Sequence, residues 1–262
     1  NFEVVVYEKE KILSLEEGYG IQLAPNSVSI LNKIGLSSID NKEFSNPSNL
    51  NFYSSENHKI CDLNLSRFNS EEFKYTTLKR SVLIEFLKNK LFANNLRFGK
   101  EVKKISQIKE KLLINFKDNT NDLVDFIVVS DGVFSNTKSI VENKSIQPVY
   151  NGSIAIRTIL KNLPESNYDK NSISLIMLKN AHIVIYPINK KGEFNVVCII
   201  RQKLSNNIDL KALIKKEIIP QNKNLESLFD NKLEYWPIYT SKKLSKSIYE
   251  NLFYIGDAFY TF

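Results

Sequence analysis

Three short runs constrain this chain more than anything else in it. FEVVVY (2–7), DFIVVS (125–130) and LFYI (252–255) are apolar almost throughout and rich in β-branched and aromatic side chains. A short run without polar alternation is the pattern of a strand buried on both faces, as in a parallel sheet. Each run stops at an acid or at an acid–glycine turn: Glu8, Asp131-Gly132 and Gly256-Asp257. The two ends of the chain therefore read as α/β. The first run has no turn ahead of it and the last is followed by only a few residues. The expectation is that 1–262 is an interior piece of a longer protein, with a strand and a GxGxxG-type loop before Asn1.

Between these runs the elements alternate. Pro25–Ile34 reads as a helix, with proline suited to its first turn and Gly35 to its C-terminal cap. Asn49–Ser54 and Lys59–Leu65 read as two strands around a polar turn. Arg80–Phe92 has apolar residues at 82, 83, 86, 87 and 91, which is helical spacing. Leu96–Phe98 and Val102–Ile105 flank a turn at Gly99, and Lys111–Phe116 is a strand closed by a turn at Asp118-Asn119. After about residue 150 the pattern changes. Ser153–Leu160, Ser172–Leu178, Ala181–Ile188 and Phe194–Arg201 read as an antiparallel meander. Ile208–Ile219 reads as an amphipathic helix stopped at Pro220, and 221–246 as a Lys/Asn-rich connection containing Trp236-Pro237.

Composition narrows the function classes. The hydrophobic share is 42% and the charged share 25%, ordinary for a globular chain. No apolar stretch is long enough to span a membrane. The net charge is +7, yet only five of the 36 basic residues are Arg, and the rest are spread as Lys. A nucleic-acid surface would cluster them with aromatics on one element, so no nucleic-acid partner is expected. Cys61 and Cys198 are far apart without metal-ligand spacing, and read as two buried free thiols. With two His in the chain, His58 and His182, no metal site is expected.

Five segments carry chemistry when taken in order: a strand ending in Glu8, GYGIQLAPNSVSILNKIGL (18–36), LKRSVLIEFL (78–87), DFIVVSDGVFSNTKSIV (125–141) and LFYIGDAFYTF (252–262). Singly each has a plain reading as a turn, a solvated strand end or a helix start. Together they resemble the FAD-dependent aromatic hydroxylases, the group A flavoprotein monooxygenases of the salicylate hydroxylase and para-hydroxybenzoate hydroxylase type. That family runs strand-end Glu, GxGIxLxPNxxxxLxxLGL, RxxLxxxL, DLLVGADGxxSxVR and GDAAH. HIVIYPINKKGEFNVVCI (182–199) is similar to a strand pair of the salicylate hydroxylase group. The sequence departs from the pattern at Val129-Ser130, where Gly-Ala is usual, and at Phe259-Tyr260, where Ala-His is usual.

The resemblance implies a Rossmann-like FAD-binding domain of the glutathione-reductase type (1–43, 72–150 and 247–262). An antiparallel β-sheet substrate domain (44–71 and 151–246) is inserted into it, and the first β-α unit and the C-terminal helices are missing. It implies FAD as cofactor and NADH or NADPH as reductant. It implies hydroxylation of a small aromatic substrate by dioxygen through a flavin C4a-hydroperoxide, in a cytoplasmic enzyme. Cofactor contacts carry over to Glu8, Gln22, Arg80, Asp131, Gly132, Gly256 and Asp257. Carboxylates there would accept from ribose and ribityl hydroxyls, and Arg80 would offer a donor fork to an oxyanion. Substrate candidates are Arg157, His182, Tyr186 and Tyr239, with no catalytic base named. The alternatives are a reductase or epoxidase on the same fold, of the geranylgeranyl-reductase or squalene/zeaxanthin-epoxidase kind, and a non-catalytic remnant.

Overall fold

The computed structural model describes residues 2–13, 19–164, 168–205 and 207–262. The chain packs as two units. One comprises Asn1–Ser14, Leu91–Asn151 and Ile238–Phe262, the other Leu15–Lys90 and Gly152–Pro237.

In the first unit the apolar runs form parallel pairs. Val6–Tyr7 pairs with Leu96–Arg97, and Ile127–Val129 pairs with Leu252–Tyr254, with Val129 opposite Tyr254. These strands are shorter than the runs, and the expected two-faced burial is not what the described residues show. Val129, Leu252 and Tyr254 are buried, but Phe2, Val4, Val6, Phe126, Val128 and Phe253 are exposed. Among the described residues, packing covers one face. On it Val129, Leu252, Tyr254 and Ala258 join Ile105, Leu112, Ile114, Phe116 and Val141 in one core, with Tyr7 against it. Part of that core is an antiparallel sheet of Val102–Ile108, Lys111–Phe116 and Asn121–Val124. Its second turn places Asn119 at φ +66°. Asp118 holds it, accepting from Thr120 N at 3.0 Å and pairing with Lys100 Nζ at 2.6 Å. Led by the Lys100 bond, these contacts hold the Asp118 carboxyl down to about 2. The strand Asn121–Val124 was not expected.

The second unit is organised on a seven-stranded sheet. Its order is Glu234–Thr240, Val149–Lys161, Glu193–Arg201, Ala181–Pro187, Ile173–Leu178, Asn49–Tyr53, Lys59–Asn64. The middle of it is the expected antiparallel meander. Ile173–Leu178 and Asn49–Tyr53 are parallel. Two readings need correction here. The stretch 221–246 is not only connection: Glu234–Thr240 is a strand. It lies at the sheet edge, where a proline such as Pro237 is tolerated. Cys61 is not buried, because it sits on the other edge strand, Lys59–Asn64, all of whose residues are exposed; Cys198 is buried, as expected.

A three-stranded sheet of Gly20–Leu23, Thr76–Lys79 and Phe44–Ser45 also belongs to this unit. It packs with the helices Pro25–Asn32 and Arg80–Lys88 around Leu23, Val28, Leu36, Leu78, Leu83 and Phe86. Pro25 opens its helix and Gly35, at φ +89°, follows its end. The packing of the described residues thus groups 19–43 and 72–90 with the large sheet, whereas the sequence division put 1–43 and 72–150 together. The cause is tertiary. Thr77 Oγ1 donates to Pro187 O at 2.5 Å, Gly20 N donates to Asn195 Oδ1 at 2.8 Å, and Lys79 pairs with Glu193 at 2.8 Å. Among the described residues no helix is long and apolar enough to cross a membrane.

Candidate functional site

The sequence candidates fall into two groups. Glu8, Asp131, Gly132, Gly256, Asp257 and Tyr239 lie in the first unit, and Gln22, Arg80, Arg157, His182 and Tyr186 in the second. Gly18, which opens the second motif, lies outside the described residues.

In the first unit the Val129–Tyr254 register sets two turns side by side at the carboxyl ends of neighbouring parallel strands. Ile255 N donates to Val129 O at 3.0 Å, so the strands stay together up to the turns. Gly132 then adopts φ +82° and Gly256 φ +54°, and a Cβ at either would meet nothing within 4 Å. Asp131 and Asp257 are both exposed. Neither has an ion-pair partner among the described residues; Asp131 Oδ2 accepts only a long 3.4 Å bond from Thr137 N. Two uncommitted carboxylates on open glycine turns can accept hydrogen bonds from the hydroxyls of a ligand. In open α/β sheets this end of the strands is where ligands bind. Glu8 follows the other parallel pair. Its main chain is tied to Arg97 O and Lys100 N, and one carboxylate oxygen accepts from Glu10 N at 2.9 Å. Behind the turns, Lys138 is buried and donates to Val133 O at 3.3 Å. Burial and the nearby Glu142 and Asp131 carboxylates push the Tyr254 phenol up. Tyr239 stacks edge-on to Phe134 and Tyr150, at 4.8 and 5.8 Å between ring centroids.

In the second unit one face of the large sheet carries a polar and aromatic cluster. His182 and Tyr186 share one face of Ala181–Pro187, His182 half-buried and Tyr186 buried, and Tyr186 faces Asn195 while Val197 faces both Arg157 and Val184. The strand Gly20–Leu23 lies over this face. Gln22 Oε1 accepts from Tyr75 Oη at 2.8 Å, and Gln22 also bonds Tyr186. Burial pushes the Tyr186 phenol up to about 12, against the pull of Arg157 and Gln22. It is therefore a neutral phenol at neutral pH. Burial also pushes His182 down, so its imidazole is neutral there too. Arg80 opens its helix with its N–H on Tyr19 O at 2.8 Å and an exposed side chain. Tyr19, Tyr75, Asn195 and Trp236 belong to this cluster and were not picked out from the sequence. The period-two spacing of 182, 184 and 186, and the one tryptophan in 262 residues, were the available signals.

The family model described as squalene epoxidase matches residues 124–259, just over half of the chain. The chain belongs to this family. The matched region contains both acid–glycine turns and the whole antiparallel meander. A curated relative, 6-hydroxynicotinate 3-monooxygenase of Pseudomonas fluorescens, is 27% identical over 168 residues, covering 60% of this chain and 41% of the relative. Klebsiella pneumoniae HpxO, solved with FAD and uric acid, is similar at a TM-score of 0.83 and 17% identity, over 97% of this chain and 66% of HpxO. The 2,6-dihydroxypyridine-3-hydroxylase of Arthrobacter nicotinovorans gives 0.74 and 18%, over 99% and 72%. At these identities the solved structures show the fold: mixed α/β with a large, mostly antiparallel sheet. The resemblance to FAD-dependent aromatic hydroxylases, read from the motifs, is upheld. The chain spans less than half of the curated relative and about two thirds of HpxO.

Proposed function

We propose that this chain is part of an FAD-dependent, NAD(P)H-using monooxygenase that hydroxylates a small aromatic substrate. The observation that carries the reading is the pair of open acid–glycine turns at the ends of the parallel strands Ile127–Val129 and Leu252–Tyr254. Their donor and acceptor chemistry fits FAD. Asp257 and Asp131 offer unpaired carboxylates to ribityl and ribose hydroxyls, and Gly132 and Gly256 leave the backbone open to close approach. Glu8 has one carboxylate oxygen left for a ribose hydroxyl. Gln22 and Arg80 carry the same assignment from the resemblance. When bound and reduced by a nicotinamide, FAD supplies the activation of dioxygen.

The chain's own work is binding, orientation and proton placement. The neutral Tyr186 phenol can donate a hydrogen bond to a substrate oxygen, and Gln22 orients it. Neutral His182 on the same strand face can accept a proton or hold one at a ring nitrogen. In the first unit, Tyr239, ringed by Phe134 and Tyr150, offers an aromatic surface. Dioxygen and an aromatic substrate are then the small-molecule partners.

A second reading, epoxidation of an olefin, is favoured by the family's description. The two separate by product. Full-length protein reconstituted with FAD is offered reduced nicotinamide with a panel of aromatic acids and phenols, and separately with isoprenoid olefins. Faster nicotinamide oxidation with a hydroxylated aromatic product supports the first reading. An epoxide from the olefin supports the second, and a protein that stays colourless refutes both. Within that protein, Asp257→Ala weakens flavin retention by roughly ten- to a hundredfold, from the 1.5–3 kcal/mol typical of a hydrogen bond to a charged group. Asp118→Ala, in a turn of the first unit's antiparallel sheet, leaves retention unchanged. Equal flavin affinity in the two folded variants refutes the Asp257 assignment.

A further inference from the structure

We infer that Asp122 is a positioning residue for the nucleotide end of the cofactor site: it fixes the strand end that presents Glu8, and so sets how tightly the adenosine ribose is held. The inference rests on the FAD reading, in which the Glu8 carboxylate accepts from that ribose. Glu8 stands just past the parallel pair of Val6–Tyr7 with Leu96–Arg97, in which Tyr7 lies beside Arg97. Its N–H donates to Arg97 O at 2.9 Å, and its carbonyl accepts from Lys100 N at 2.8 Å. The place of Glu8 therefore follows from the places of Tyr7 and Arg97. The side chains of those two residues converge on one acceptor. Tyr7 Oη donates to Asp122 Oδ2 at 2.5 Å, and Arg97 Nη1 donates to the same oxygen at 2.9 Å. Asp122 Oδ1 accepts from Leu123 N at 2.9 Å, which orients the carboxylate from its own strand, Asn121–Val124.

Little else among the described residues holds this strand end. The pair is two residues long, and Phe2, Val4 and Val6 are exposed. Tyr7 is the strand's packed residue: it lies against the first unit's core, its ring centroid 4.8 Å from that of Phe116. The Arg97 guanidinium carbon is 5.8 Å from the Tyr7 ring centroid, so the two donors also brace each other. Burial, and then the Asp122 carboxylate, push the Tyr7 phenol up to about 12, which keeps it a proton donor. The Tyr7 bond, with help from Leu123 N and Arg97, holds the Asp122 carboxyl below its usual range, which keeps it an acceptor. The Asp122 side chain is 31% exposed and that of Arg97 47%. A pair this open adds little to global stability. Its leverage is on position, because a binding group is useful only when held within about 0.5 Å of its productive place. Asn121–Val124 is the edge strand of its sheet, and it supplies the acceptor from outside the parallel pair.

FAD and its 2′,3′-dideoxyadenosine analogue are titrated into full-length apoprotein and followed by flavin fluorescence. The analogue lacks the hydroxyls from which Glu8 accepts, so the ratio of the two affinities reads the ribose contact alone. The expected wild-type preference for FAD is roughly tenfold or more, the scale of hydrogen bonds to a charged group. Glu8→Ala removes it. Asp122→Asn and Tyr7→Phe each lower it by about threefold or more, and Asp122→Glu recovers part, with all variants folded by circular dichroism. Tyr7→Phe keeps the ring in the core, and it decides the matter if Asp122→Asn does not fold. A preference that Glu8→Ala loses but Asp122→Asn and Tyr7→Phe retain overturns the inference and leaves the reading of Glu8 standing. Equal weakening toward both cofactors, with the ratio intact, makes Asp122 merely structural and overturns it too. A wild-type protein that does not distinguish the two cofactors, or a Glu8→Ala variant that still does, refutes the reading of Glu8 and the inference with it. A wild-type protein that binds neither flavin refutes the FAD reading as a whole.

Discussion

Replacing Gly20 by alanine tests the packing on which the second unit's cluster depends. Gly20 opens the strand Gly20–Leu23 and donates its N–H to Asn195 Oδ1 at 2.8 Å. A Cβ added there would stand 2.7 Å from Ile188 Cγ2 and from Tyr186 Cε2, and 2.8 Å from Asn195 Cβ. Those three residues are at most 4% exposed, so none can swing into solvent. The backbone of Gly20 is outside the left-handed region, so the cost is steric. Overpacking of a full core costs about 1–3 kcal/mol, and loss of the buried Asn195 bond adds about 1 kcal/mol. The sum, about 2–4 kcal/mol, corresponds to a melting temperature lower by roughly 5–15 °C at the 2–4 °C per kcal/mol of a domain this large. Thermal melts followed by circular dichroism measure it. Gly99→Ala is the control: at φ +69° with nothing within 4 Å of a Cβ, it carries only the left-handed backbone cost of about 1–2 kcal/mol. If Gly20→Ala melts within a degree of wild type, or no lower than Gly99→Ala, then this strand does not lie against the sheet as described.

Thr77→Val removes the donor to Pro187 O inside a fully buried contact, and should cost about 1–3 kcal/mol in urea unfolding because the carbonyl is left unpaired. The Tyr186 phenol has its folded pKa raised to about 12, so its contribution to stability is complete below pH 10 and is lost as pH rises toward 12. Tyr186→Phe should therefore flatten the fall in unfolding midpoint between pH 10 and 12. An unchanged slope would mean that the phenol ionises as it does in water.

Much of the architecture was legible because it is written in local patterns. Apolar runs joined by short polar turns marked the meander, and 3.6-residue spacing marked the helix opened by Arg80. Pro25 and Gly35 bracketed the first helix. The two acid–glycine turns stood out because each ends an apolar run. What escaped was weakly patterned. Glu234–Thr240 contains Trp236-Pro237 and has no clean alternation, and Asn121–Val124 is short and polar. Both are strands because a neighbouring strand offers them a free edge. The burial of both faces expected at 2–7 and 125–130 is not seen among the described residues. An unbroken apolar run says that a strand can be buried on two faces, not that anything covers the second.

The candidate site divides in the same way. The residue types of the cofactor fingerprint, Glu8, Asp131-Gly132 and Gly256-Asp257, and the one-face spacing of His182 and Tyr186, are properties of short segments and were determined by the sequence alone. That Val129 lies beside Tyr254, bringing two turns 125 residues apart to one edge, was decided by strand pairing. So was the contact of Gly20 with Asn195, and that of Asp122 with Tyr7 and Arg97. No local propensity encodes these partners, because hydrogen bonding between strands is the same for every sequence. Pairing is selected by which side chains pack once the whole sheet has formed. The chemistry of each group is local, whereas its burial and its partner belong to the fold.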